Sequence, residues 1–187
     1  LAVAIGILFA IAIAHSRLME RVLLALLVAL NSVPKVAVAP LLIIWVGTGI
    51  WAKIWMAMVI ALFAIVVDMV LGLRSVDPDL IDLARSLGGK PRKILYKIRF
   101  PNALPSLFAG MKVAVSLALV GAIVGEFVAS GRGLGFVIIT AQSTFDTTRI
   151  FAAILILSAL GVLLFAMIDA LEGLLIPWHV SRRAVAQ

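Results

Sequence analysis

Cysteine is absent from this chain of 187 residues, and histidine occurs only twice. Without thiols there is neither a disulfide framework nor a thiolate metal site. His15 and His179 lie far apart beside cationic segments, with no partner at metal-ligand spacing, so both suit solvated or interfacial positions. Charge is scarce as well: Asp, Glu, Lys and Arg make up 13% of the chain against 64% apolar types. With a mean hydropathy of +1.23, that is too little polar surface for a water-soluble globule of this size. The phosphate-cradling spacing Gly-x-x-x-x-Gly-Lys-Ser/Thr is missing, and GRGLG at 131–135 spaces its glycines wrongly for a dinucleotide loop. Ser106, Ser116, Thr140 and Ser158 lack any nucleophile-and-base arrangement and read as hydroxyls that satisfy helix carbonyls. Neither a catalytic site nor a bound cofactor or metal is expected.

What the chain has in abundance is apolar sequence long enough to cross a bilayer. Leu1 falls inside LAVAIGILFAIAIA, without an initiating Met or a charged leader, and fourteen helical residues rise only about 21 Å of the roughly 30 Å hydrocarbon core. The expectation is that part of this helix lies ahead of Leu1. Val22 to Ile50 is long enough to cross, but NSVPKVAVAP interrupts it with Pro34 and Pro40, which predicts an interfacial or kinked first half and a spanning second half. Further spans are expected at about 52–73, 104–127 and 150–176. The fold class is therefore an all-α polytopic membrane protein, one domain over 1–187, with about five transmembrane helices visible.

Sixteen Lys and Arg against nine Asp and Glu give a net charge of +7. Such an excess is also a footprint for nucleic acid, but cations beside apolar spans belong to loops facing the cytoplasm, so the expected partner is membrane lipid rather than nucleic acid. On the alternating path, the turn at 15–21, the loop at 74–101 and the C-terminus share one face and hold most of these cations, while Lys53, Arg132 and Arg149 mark the other. The first face is assigned to the cytoplasm. Trp45, Trp51 and Trp55 then mark the outer interface, and Trp178 the inner one.

The loop at 77–101 is written as structure. Asp77-Pro78-Asp79 supplies a cap, a proline at the first helical position and an acid in the first turn. Leu80, Leu83, Ala84 and Leu87 recur at helical spacing, and Gly88 suits the left-handed residue that ends a helix. Pro91 opens a second helix with Ile94, Leu95 and Ile98 on one face and Arg92, Lys93, Lys97 and Arg99 around the rest; Phe100-Pro101 is expected to stop it. Asp82 and Arg85 stand three apart, in reach of each other or of a partner. Such helices either lie on anionic headgroups or dock their apolar stripe in a partner's groove.

Here the sequence resembles a known family. Asp82-Leu83-Ala84, three residues, Gly88, nine residues, Ile98, one residue and Phe100-Pro101 keep the register of the EAA signature (Glu-Ala-Ala, Gly, Ile, Leu-Pro) of ABC-importer permeases. Departures are Asp82 for Glu, Leu83 for Ala and Phe100 for Leu. VPKVAVAPLLIIWVGTG, LRSVDPDLIDLARSLG and GEFVASGRGLGFVI resemble the nitrate, sulfonate, taurine and bicarbonate branch, over about 22–178. The resemblance implies a type I importer core in the bacterial inner membrane, with two permease copies, two cytoplasmic ATPase subunits that bind the ATP, and a periplasmic substrate-binding protein. It implies a coupling helix in the loop, with Asp82, Leu83, Ala84, Arg85, Leu87, Gly88, Ile98 and Pro101 as ATPase-coupling residues, and a small anion or related solute as cargo.

Asp68, Glu126 and Asp169 lie in or beside spans, where ionisable groups are functional suspects. They motivate the alternative of an ion-coupled secondary transporter, against the plainer reading that each reaches the interface or a nearby cation. Lys112 reads as a snorkelling side chain before a pathway residue. Gly121 and Gly125 match small-xxx-small packing, within the subunit rather than at a dimer seam. GEFVASGRGLGF suits either a glycine-rich reversal or an external turn and short helix near the mouth of a pathway.

Overall fold

A computed structural model of the chain describes residues 1–15, 17–129 and 131–177; the expectations for Trp178, His179 and the C-terminal arginines fall outside them. The described residues hold helices and no strand. In order these are α1 (Ala2–His15), α2 (Arg17–Ser32), α3 (Lys35–Val46), α4 (Ile50–Arg74), α5 (Pro78–Ser86), α6 (Pro91–Ile94), a π-helical turn (Leu95–Arg99), α7 (Phe100–Ala129), α8 (Leu134–Ser143) and α9 (Thr147–Leu175).

Among the described residues three helical runs are long and apolar enough to cross a membrane: Ile50–Arg74, Pro91–Val128 and Thr147–Leu175. The segments Arg21–Ser32 and Val36–Val46 make a fourth if taken together, bent by 101°. The bend falls at Pro34, whose ring and missing N–H cannot continue α2 and which instead precedes α3 at φ −60°, ψ 101°. Pro40, by contrast, lies inside α3. With 12 residues, α3 rises about 18 Å and does not span alone as the sequence suggested. α1 is the short apolar helix seen at the start of the chain.

The core is the seam between α4 and α7, joined by α1. Ile65, Val66, Met69 and Leu73 of α4 are fully buried or nearly so, against Ala10 and Ile13 of α1 and Ala103, Leu107 and Ala114 of α7. Small residues let the two long helices approach. A Cβ on Gly72 would stand 2.9 Å from the Ala103 backbone, and one on Gly121 would stand 2.7 Å from the Ala57 backbone. Gly125 likewise faces Lys53, so the 121/125 pair packs inside the subunit.

The second loop helix does not stop at Phe100-Pro101. From Pro91 the chain stays helical for 38 residues, through the π-helical turn and Pro101, to Val128. The Phe100 N–H reaches back five residues to Leu95 O, a wider turn placed just ahead of the residue that has no N–H to give. Pro101 is thus interior to the continuous helix, where its missing donor and its ring are accommodated by the wider turn that precedes it. At about 1.5 Å per residue the run measures about 57 Å, well beyond a hydrocarbon core of about 30 Å.

Candidate functional site

The loop between α4 and α7 is held at its root by polar contacts that the sequence did not advertise. Ser75 Oγ donates to Gly72 O at 3.0 Å, and Asn102 Nδ2 donates to Ser75 Oγ at 3.0 Å. The end of one spanning helix is thereby tied to the start of the next, beside the close approach of Gly72 to Ala103.

α5 begins as its residues dictate. Asp77 Oδ1 accepts from the Asp79 N–H at 2.9 Å, Pro78 takes the first helical position, and Asp79 puts its charge against the positive end of the helix dipole. Its far end is a Schellman closure: the Gly89 N–H bonds Ala84 O at 2.9 Å and the Gly88 N–H bonds Arg85 O at 2.9 Å, with Gly88 at φ +77°. α6, by contrast, starts at Lys90 without a side-chain cap.

The apolar residues of α5 divide between two faces. Ile81 is buried against Val76 and Ile94, with Ala84 and Ile98 packed beside them, making a small core inside the loop. Leu80, Leu83 and Leu87 point the other way, and Leu83 and Leu87 are 57% and 79% exposed. Of the eight residues singled out from sequence, Ala84 and Ile98 therefore serve the inward core, and Leu83 and Leu87 the outward face. Asp82 and Arg85 pair on the surface at 2.9 Å. Gly88 closes the helix and Pro101 lies in the first turn of α7. Ile81 and Val76 were missed, although Ile81 with Ala84 and Ile94 with Ile98 are themselves pairs at helical spacing.

At the opposite end of the spanning helices, Glu126 of α7 ties the turn before α8. Its Oε1 lies 3.1 Å from Lys53 Nζ, and its Oε2 accepts from the Gly135 N–H at 2.7 Å. Gly133, at φ +121°, and Gly135 leave the space that this carboxylate fills, since a Cβ on either would collide with it. The glycine-rich segment thus forms a turn and a short helix, and Lys53 also donates to Arg132 O at 3.2 Å. A cavity of ≈ 570 Å³ bounded by Thr48, Gly49, Lys53 and Arg132 opens beside it.

Of the other ionisable groups near the spans, Asp169 and Glu172 of α9 hold Lys112 at 2.6 and 2.7 Å. Asp68 sits against Gly110, where the missing side chain makes room for its carboxylate. Thr140 Oγ1 donates to Phe136 O at 2.9 Å, as a helix hydroxyl does. Among the described residues no group of three His, Cys, Asp or Glu is placed to hold a metal.

A family model described as "Binding-protein-dependent transport system inner membrane component" matches residues 2–176. The chain is 36% identical over 179 residues to a formylaminopyrimidine transport permease protein of Halalkalibacterium halodurans, covering 96% of this chain and 72% of the relative. It is 39% identical over 168 residues to a riboflavin transport system permease protein of Chloroflexus aurantiacus, covering 90% and 63%. It is 31% identical over 179 residues to a taurine transport system permease protein of Escherichia coli, covering 95% and 65%.

Proposed function

The chain belongs to the family of binding-protein-dependent transport system inner membrane components, the multi-pass permeases of ABC importers for small solutes, and from that premise we propose how it is driven: residues 77–101 are the knob that a cytoplasmic ATPase grips. One observation carries the reading. α5 is packed through Ile81 onto a helix that runs unbroken from Pro91 to Val128, so the loop and a membrane span are one rigid body. Leu80, Leu83 and Leu87 are left outward at helical spacing, the form of an element that docks in a groove.

In this mechanism two copies of the chain, taken as one domain over 1–187, stand over two ATPases with the cation-rich face in the cytoplasm. ATP closes the ATPases and the knobs move with them. α7 moves directly, and α4 follows through Ser75–Asn102 and the Gly72 contact. A shift of state needs contacts that differ between the states, and a stiff loop can carry such a difference where a slack tether cannot. The chain itself binds no nucleotide, and a periplasmic binding protein delivers the solute. The ion-coupled alternative loses support because Glu126 and Asp169 are both engaged in ion pairs.

Two substrate readings have support. The branch resemblance and the taurine relative favour a small anion. A small heterocyclic solute is favoured by the higher identities to the formylaminopyrimidine and riboflavin permeases. It is favoured also by Lys112, whose charge is met by two carboxylates and so offers an anion little.

The absence of native cysteine supplies the test. In a transport-active complex, Leu83→Cys and Leu87→Cys are expected to crosslink to the ATPase subunit, whereas Ser116→Cys, in the middle of α7, does not. An active complex with no crosslink at either loop position would sink the proposal.

A further inference from the structure

Three arginines line one pocket between the start of the chain and the loop. This pocket, of ≈ 410 Å³, lies between the end of α1 and the loop, with Arg85, Arg92 and Arg99 at its walls and Ala14, Ile81 and Leu95 among its apolar lining. Among the described residues none that lines it is acidic. Arg85 spends one guanidinium nitrogen on Asp82 at 2.9 Å. Arg99 is the telling member: its Nε is buried with no hydrogen-bond partner among the described residues. A buried guanidinium N–H left unmatched is costly, and a native fold keeps one only where something else supplies the acceptor.

We propose that this pocket binds the phosphate of an anionic phospholipid. Planar guanidinium groups present paired N–H donors that match phosphate oxygens, and three around one space suit an oxyanion better than a single carboxylate. The apolar part of the lining decides between a lipid and a soluble phosphate. Ala14 lies in the last turn of the apolar helix α1, and Leu95 begins the π-helical turn that leads into the α7 span. The pocket therefore lies at headgroup level, with room for the glycerol end of a lipid beside the phosphate. Basic pockets between helices on the cytoplasmic side are the sites at which anionic headgroups are held. A lipid seated there touches α1, α5 and the continuous helix together, bracing the loop against the bundle.

This inference does not rest on the coupling role, because lipid retention is measured without transport. The permease is purified with its partner subunits from membranes containing phosphatidylglycerol and phosphatidylcholine, and bound lipids are counted by native mass spectrometry. The expected result is selective retention of phosphatidylglycerol, reduced about fivefold in Arg92→Gln and in Arg99→Gln, with phosphatidylcholine unchanged. Arg92 is exposed, so its variant keeps the test valid even if Arg99→Gln fails to fold. Equal retention by all three proteins overturns the proposal. So does binding of inorganic phosphate to the delipidated complex, with the same arginine dependence and no enrichment of phosphatidylglycerol. Retention that emerges only after the ATPase is stripped away makes the pocket a protein contact and likewise overturns it.

Discussion

Lys112 of α7 and Asp169 of α9 meet at 2.6 Å, and the same ammonium lies 2.7 Å from Glu172 and 5.5 Å over the ring of Phe165. Phe165, Asp169 and Glu172 follow one another at helical spacing, so one face of α9 closes around a single cation. The rest of α9 is sparsely packed: Ala153 and Ile168 are its buried residues. Ile168 joins Phe108 and Ile176 in a small apolar cluster beside the ion pairs. α9 is therefore pinned to the bundle at this end.

Lys112→Met keeps the stem of the side chain and leaves two carboxylates facing each other near the membrane. Removing one partner of a fully buried pair costs about 3–5 kcal/mol, and Asp169, which is half exposed, recovers part of that from solvent. The expected loss is about 2 kcal/mol, a fall of about 4–8 °C in Tm, read by thermal unfolding in detergent. Adding Asp169→Asn and Glu172→Gln removes the repulsion and should restore most of the loss. A triple variant as unstable as the single one counts against this account.

Gly88→Val tests the loop's closure through the backbone alone. A Cβ there meets nothing within 4 Å, so the cost comes from φ +77°, which a β-branched residue disfavours by about 1–2 kcal/mol. The Schellman bonds loosen and α5 frays, while the spans are untouched. Uptake into proteoliposomes is expected to fall about tenfold or more, with insertion and assembly preserved. Gly88→Asn, which tolerates the left-handed region, should retain most activity. Full uptake by Gly88→Val would show that the closure is dispensable.

How far this site could be read in advance depends on the range of the physics. The cap at Asp77 and the reversal at Gly88 are local chemistry, written in consecutive residues, and they form as read. The inward face of α5 is not local. Leu80, Leu83 and Leu87 make as good a stripe as Ile81 and Ala84, and only Val76, Ile94 and Ile98, brought in by the fold, decide which is covered. Pro101 reads as a stop because proline lacks an N–H; the π-helical turn ahead of it, which lets the helix continue, has no comparable sequence sign. Lys112 and Asp169 are 57 positions apart, so each is legible as an ionisable residue in a span but the pairing is set by helix register.

The two faces of α5 predict opposite phenotypes from one substitution type. Ile81→Asp buries an unpaired carboxylate in the loop core and should cost about 3 kcal/mol locally, visible as faster amide exchange over 77–99. Leu87→Asp changes a side chain that is 79% exposed and should shift stability by less than about 0.5 kcal/mol. Its effect is expected on association: co-purification with the ATPase is lost while the fold is kept. Unchanged co-purification would remove Leu87 from the docking face.

Gly121→Val addresses the seam that would transmit the motion. Its first added atom falls 2.7 Å from the Ala57 backbone and 3.0 Å from Met56 O, and neither is a flexible side-chain end that can turn away. α4 and α7 must separate, and overpacking of this kind costs about 1–3 kcal/mol. Gly121→Ala already carries that first atom and should show most of the loss in Tm, whereas Gly161→Ala, which meets only the side-chain end of Leu119 at 3.2 Å, should be tolerated. Because the α4–α7 contact also ties the two spans on either side of the loop, the variant is expected to keep ATPase binding and lose uptake. Loss of both together would place the fault in folding rather than in transmission, and loss of neither would mean that the helices already slide past each other at this point.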